Sequence, residues 1–378
     1  MRRILIAEQL IDGTGAPTVP NGALILDDGR IEAVTTRDQL GANPEGEVIE
    51  LAGGTIMPGF IEVHAHMHCS AEADAYEHIM TETHDELLMR SVDAVRTTLA
   101  SGVTTMRDLG SRNEIAFPVK QAVLDGKIPG PRLLVTGTPI TTTAGHCNSF
   151  GTEADTVEQV VTAVRQQIKL GADYIKIMST GGAFTPRSNV RAAQYPVSTL
   201  RAAVEDAERM GVRVAAHCHG TVGVTNCAEA GIHNLIHSTW LSENPDESWD
   251  YKPEVADMMA EKGLWVDPTI AIAAIRDTKG VEMDPGATSA VLDDPELVDL
   301  EQKIASTGRL DASASLELFH YLVALPHESV QAYVEARLGS VRRNIGIVRA
   351  VAEARLVPVS DLEVEGPVDL RIAGLLMP

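Results

Sequence analysis

At 378 residues the chain is long enough for one large α/β domain with a smaller companion, and 44% hydrophobic against 22% charged residues is an ordinary globular balance. A formal charge of −22 argues against polyanionic partners, so neither nucleic acid nor an anionic membrane surface is expected. No apolar run approaches a membrane span, and Glu8 interrupts the apolar stretch 4–7 too early for a secretory signal, so a cytoplasmic protein is expected.

Residues 1–58 read as short strands at 3–7, 22–26, 30–34 and 48–51, with Asp27-Asp28-Gly29 as a hairpin turn. Their apolar faces, around Ile4, Ile6, Ile25 and Ile31, need a covering layer, which predicts a small β-rich domain over 1–58. From Phe60 the rhythm becomes strand, loop, helix. Residues 155–170 place Val157, Val160, Val161, Val164 and Ile168 at helical spacing, with Asp155 and Glu158 as a reciprocal cap. A second helix carries Leu200, Ala203, Val204 and Ala207, and a late one covers 341–353. Strands are expected at 60–66, 103–108, 132–135, 173–178, 211–217, 234–238, 263–267 and 355–360. Eight strands separated mostly by helices predict a (β/α)8 TIM barrel over 59–378, with a doubly wound open sheet as the alternative. Residues 270–340 break the rhythm and read as an insertion with its own helices.

The four cysteines, Cys69, Cys147, Cys218 and Cys227, show neither metal-ligand spacing nor a disulfide framework, and read as small buried side chains in a reducing compartment. His64 and His66 are two apart on a strand, so both imidazoles leave the same face, a geometry that suits a divalent cation. In a barrel, chemistry gathers at the carboxyl ends of strands. Those ends carry, in order, His64 and His66, Arg107-Asp108, Lys176, His217 with His219, His237 and Asp361. Buried and unpaired, each would cost several kcal/mol, about 2–7 for a polar group. Coordination satisfies them together. Lys176 sits in an apolar strand, where an ammonium is expensive; it must lose its proton or be modified, and CO2 addition would make it an anionic carbamate.

The segments Pro58-Gly59-Phe60-Ile61-Glu62-Val63-His64-Ala65-His66, Gly102-Val103-Thr104-Thr105-Met106-Arg107-Asp108, Gly171-Ala172-Asp173-Tyr174-Ile175-Lys176, Val214-Ala215-Ala216-His217-Cys218-His219-Gly220 and Gly231-Ile232-His233-Asn234-Leu235-Ile236-His237 resemble the amidohydrolase superfamily, in its imidazolonepropionase-like, prolidase-type branch. The resemblance implies two divalent ions, zinc expected. His64 and His66 would hold the first, His217 and His237 the second, a carboxylated Lys176 would bridge them, and Asp361 would ligate the first and act on a bridging hydroxide. His217 is preferred to His219 as lying on the strand itself; His219 then contacts substrate or supports the ligands. The loop 141–146 resembles a family loop beside the substrate, making His146 a carbonyl polariser. Arg187, Tyr195 and the 270–340 segment are further candidates for substrate contact. Glu62 stands where the family usually has Asp, and Leu362 where a small residue is usual. The chain ends seventeen residues after Asp361, so the β-sandwich-like domain is expected to be incomplete at the C-terminus and to favour a homo-oligomer.

The expected activity is hydrolysis of an amide, peptide or carbamate bond in a small substrate such as a dipeptide or N-acyl amino acid. A cyclic-amide hydrolase is the enzymatic alternative, and an inactive barrel with an assembly role the non-enzymatic one. A one-metal deaminase is disfavoured by Lys176.

Overall fold

The computed structural model describes residues 2–69, 75–247 and 249–269. The first strands form one mixed sheet: β1 (Arg3–Leu10), β2 (Val19–Pro20), β3 (Gly22–Asp27), β4 (Arg30–Thr36) and β5 (Glu47–Ile56). β1 is central, antiparallel to β3 and parallel to β5, with Ile4 opposite Ile25 and Val48. Ile4 and Ile6 are buried against Ala23, as the pattern predicts. Ile31 is not: it is 57% exposed. Ile25 pairs with Ala33 but Leu26 with Ile31, so β4 carries one extra residue there. A bulge of that kind turns the following side chain to the other face.

The chain then continues through β6 (Phe60–Ala65), α1 (Ala75–Thr81), α2 (His84–Ala100), β7 (Val103–Asp108), α3 (Asn113–Leu124), β8 (Arg132–Val135), β9 (Ile140–Thr141), β10 (Thr152–Glu153) and α4 (Val157–Leu170). It closes with β11 (Tyr174–Met178), α5 (Val197–Arg209), β12 (Arg213–Gly220), α6 (Thr221–Ala230), β13 (Asn234–Leu241), α7 (Pro253–Glu261) and β14 (Trp265–Asp267). All pairings among β6 to β14 are parallel, in the orders β6-β7-β8 and β10-β9-β11-β12-β13-β14. The amide of Asp173 donates to the carbonyl of Val135 at 2.8 Å, joining the end of β8 to the start of β11. Seven of the eight expected parallel strands are thus present. The eighth (355–360), the helix 341–353, the insertion 270–340 and Asp361 lie outside the described residues.

Local chemistry fixes the helix ends. The α4 cap is Thr156, whose hydroxyl accepts from the Gln159 amide while the Gln159 side chain accepts from Thr156 N. The expected Asp155–Glu158 pair is therefore one residue out of register; Asp155 instead holds Thr143 through its backbone and hydroxyl. Gly171 ends α4 at φ 96°, a conformation that a Cβ would strain. The main core lies between helices and strands: Val160 and Val164 of α4, Leu200 and Ala203 of α5, and Ile175, Ile177, Val214 and Ala216 of the strands. Because strand side chains alternate, Ile175 and Ile177 facing the helices send Tyr174, Lys176 and Met178 to the opposite face. Val204 and Leu200 of α5 are buried on the helix-facing side of these strands. No helix among the described residues is long and apolar enough to cross a membrane, and all four cysteines are free, as expected.

Candidate metal centre

Six imidazoles and one amine converge at the carboxyl ends of the parallel strands. His64 and His66 come from the end of β6, with ring centroids 5.3 Å apart. His217 and His219 are two apart on β12, at 4.5 Å. Both lie on the strand, which runs to Gly220 and not only to 217, so strand position does not separate His217 from His219. His237 stands 4.7 Å from His217, stacks on His219 at 4.4 Å, and reaches His64 at 5.4 Å. His146, from the loop after β9, is 4.4 Å from His217. Ligand atoms of His217, His219 and His237 all lie within 4.8 Å of one another, the one such group of three among the described residues.

His237 reaches this cluster by breaking the strand's alternation. Leu235 packs towards the helices and Ile236 towards Leu109 and Ala215 on the inner face. Regular alternation would return His237 to the face of Leu235. Instead His237 and Ser238 adopt φ values of 70° and 46°, a left-handed backbone that costs non-glycine residues energy. That strain swings the ring towards His217.

Backbone carbonyls fix protons on two of the rings, because a carbonyl can only accept. His66 Nδ1 donates to Gly110 O at 2.8 Å, so its Nε2 keeps a lone pair. His217 is the reverse: Nε2 donates to Gly181 O at 3.0 Å, and Nδ1 is left as the donor atom for a ligand. The Thr239 hydroxyl donates to His219 O at 3.3 Å and accepts from His219 Nδ1 at 2.7 Å, which leaves His219 Nε2 unprotonated. His146 Nδ1 pairs with Thr185 Oγ1 at 3.0 Å, and His237 Nδ1 with Thr269 Oγ1 at 2.6 Å.

Burial sets the charge state. Desolvation, then the Lys176 charge, pulls His66 down to about 4; desolvation likewise pulls His146 to about 3, and His64, His217 and His237 well below the usual imidazole range. All are neutral near pH 7 and able to coordinate. Lys176, 1% exposed, is pulled to about 8 by desolvation, so a sizeable neutral fraction is present under mildly basic conditions. The sequence anticipated the burial of Lys176.

Three contributors, His68, Asp267 and Thr269, have no counterpart in the sequence reading, which places Asp108 at a strand end without giving it a role. His68, two residues past His66, is fully buried with Nδ1 on Ser111 Oγ and its ring against Phe150; it belongs to packing beside the site. Asp108 accepts from Met67 N, Gly110 N and Ser111 Oγ, and so holds the Gly110 carbonyl that orients His66. Asp267 and Thr269, at the end of β14, approach His64 and His237. A strand-end Asp in Trp265-Val266-Asp267-Pro268-Thr269 was the available signal. Tyr195, in contrast, is buried with its hydroxyl donating to Ala154 O, so it serves the core and not a substrate. Arg187 is exposed.

The residues present fit divalent cations, because neutral imidazoles from three strands converge beside a buried amine.

The model of the amidohydrolase family matches residues 55–317. An ochratoxinase from Aspergillus niger is 29% identical over 305 residues, covering 72% of this chain and 59% of its own length. The chain thus spans about three-fifths of the curated relatives it first matches. Among solved structures, a prolidase complexed with N-methylphosphonate-L-proline aligns with a TM-score of 0.67 at 22% identity, covering 98% of this chain and 90% of that one. The A. niger ochratoxinase crystal structure aligns at 0.64 and 23%, covering 83% and 81%. These likenesses show a shared α/β fold, and the match over residues 55–317 places the chain in the amidohydrolase family.

Proposed function

We propose that this chain is a metal-dependent hydrolase that cleaves an amide, peptide or carbamate bond in a small substrate such as a dipeptide or N-acyl amino acid. The observation that carries the reading is the convergence of neutral imidazoles on buried Lys176. His64 and His66 would hold one divalent ion and His217 and His237 a second, with zinc the expected metal. The neutral fraction of Lys176 would add CO2 through its Nζ lone pair and release one proton, and the resulting carbamate would be the anionic ligand shared by the two ions. Bound ions of this kind supply Lewis-acid polarisation of the scissile carbonyl and a water acidic enough to attack at neutral pH.

The chain's own groups do the rest. Asp361 is the proposed base, taking the proton of the attacking water and passing it to the leaving amine. His146, held through Nδ1 by Thr185, and His219, held by Thr239, are placed to donate to or orient the substrate carbonyl. The reading takes residues 1–58 as a small β-domain and 59–378 as a barrel completed by the expected strand 355–360. It also includes self-association, with Ile31 and Val34 on the outermost strand β4 as exposed apolar surface.

The test is metal content followed by turnover. About two zinc equivalents, and hydrolysis of a dipeptide or N-acyl amino acid by the loaded protein, are expected. Lys176→Ala should lose metal and activity together, with short carboxylic acids partly restoring both. A protein that binds no divalent metal, or a fully active Lys176→Ala, refutes the proposal; light scattering checks self-association separately.

A further inference from the structure

We propose that the end of β14, Asp267-Pro268-Thr269, is a positioning segment that fixes the protons of two site imidazoles: Asp267 accepts a hydrogen bond from Nδ1–H of His64, and Thr269 engages Nδ1 of His237. The inference deepens the metal reading and rests on it.

Asp267 Oδ2 lies 3.4 Å from His64 Nδ1, both side chains about nine-tenths buried, and neither atom has a hydrogen-bond partner. The other carboxylate oxygen is already used: Oδ1 accepts from Thr269 N at 3.3 Å. Pro268 has no N–H to offer between them. Two orphaned atoms, a carboxylate oxygen and a ring nitrogen, therefore face each other where burial penalises both. A proton on His64 Nδ1 satisfies the two at once with a small closure of that gap. His64 Nε2 is then a lone pair, the same state that Gly110 imposes on its neighbour His66. Two residues on, Thr269 Oγ1 sits 2.6 Å from His237 Nδ1.

An independent sign comes from the backbone. Thr269 is β-branched yet adopts φ 50°, a conformation that such residues avoid. Strain of this kind persists where surrounding structure demands a side chain in one place, and here that place is the His237 ring. Orienting partners on the far nitrogen of metal-binding histidines raise affinity by about 10–100-fold. The first and sixth parallel strands would thus have their imidazoles set by the seventh.

The experiment measures zinc affinity of the full chain by competition with a chromophoric chelator, together with long-range proton–nitrogen correlation of the imidazoles in the metal-free protein. Asp267→Ala should weaken zinc binding by about 10–100-fold and mix the His64 tautomers. Asp267→Asn keeps an acceptor oxygen and should recover most of the loss. Thr269→Val should weaken the second equivalent while sparing the first. A merely structural role would lower the melting temperature without moving affinity or tautomer. Should Asp267→Ala not fold, the wild-type tautomer and Asp267→Asn still decide. Affinity in Asp267→Ala within about threefold of wild type overturns the inference, against the expected range. So does a His64 proton on Nε2, or an Asp267→Asn as weak as Asp267→Ala, which would make Asp267 a direct ligand. Wild-type protein that takes up no zinc overturns the metal reading itself, and this inference with it.

Discussion

Replacing Lys176 by Met should stabilise the metal-free protein. The amine is 1% exposed, and burial drops it from 10.5 to about 8. That displacement corresponds to about 3 kcal/mol held against folding while both folded and unfolded chains carry the proton. Met fills nearly the same elongated volume without a charge to desolvate. The sign follows from which state binds the proton more tightly. Below pH 8 both states are protonated and the full penalty applies. Between 8 and 10.5 the unfolded chain holds the proton that the folded chain has released, so stability climbs with pH and the penalty shrinks. Urea unfolding in degassed, CO2-free buffer should therefore show Lys176→Met about 3 kcal/mol more stable than wild type at pH 7, with less than about half of that gap left at pH 9.5. A gap that does not change with pH, or a Met variant less stable at pH 7, would refute the claim that desolvation governs this lysine.

Other outcomes follow from the same geometry. The share of metal-free stability set by His66, His68 and His146 should be constant above about pH 7 and fall towards pH 3, by up to about 1.4 kcal/mol per pH unit for each, because their depressed values leave the unfolded chain binding more protons; urea midpoints against pH below the Lys176 window read this directly. In Gly182→Ala the new Cβ would sit 2.5 Å from His146 Cε1 and Nε2, so turnover should fall more than metal content, which activity and metal analysis on one sample separate. His217→Ala should deplete metal more than His219→Ala, since His217 presents Nδ1 to the cluster while His219 stacks on His237; equal depletion would make both rings ligands. Leu200→Ala, fully buried between α4, α5 and the strands, should cost about 3 kcal/mol with the metal site intact, measured by urea unfolding and zinc binding.

The sequence alone determined the parallel rhythm and named most of the imidazoles, and the amine, that the fold gathers. Apolar spacing is local, so α4 and the strands around Ile175 and Val214 could be read from neighbours in the chain. His64 with His66, and the isolated Lys176 between isoleucines, announce themselves through period two. The caps were less legible: Thr156 and Asp155 are both good cap residues, and only the path of the loop to Thr143 assigns each its task. What tertiary structure decided is where protons and lone pairs sit. Gly110 on His66, Gly181 on His217 and Thr269 on His237 are partners 44, 36 and 32 residues away, invisible to any local pattern. His237 is the sharpest case, for alternation places it on the wrong face and a strained left-handed backbone corrects it. Asp267 shows the same division: its residue type is plain in the sequence, but its meaning appears only when the fold brings its carboxylate 3.4 Å from His64, 203 residues earlier in the chain. Periodicity is set by each residue's own backbone, whereas a tautomer is set by whichever acceptor the fold brings within about 3 Å.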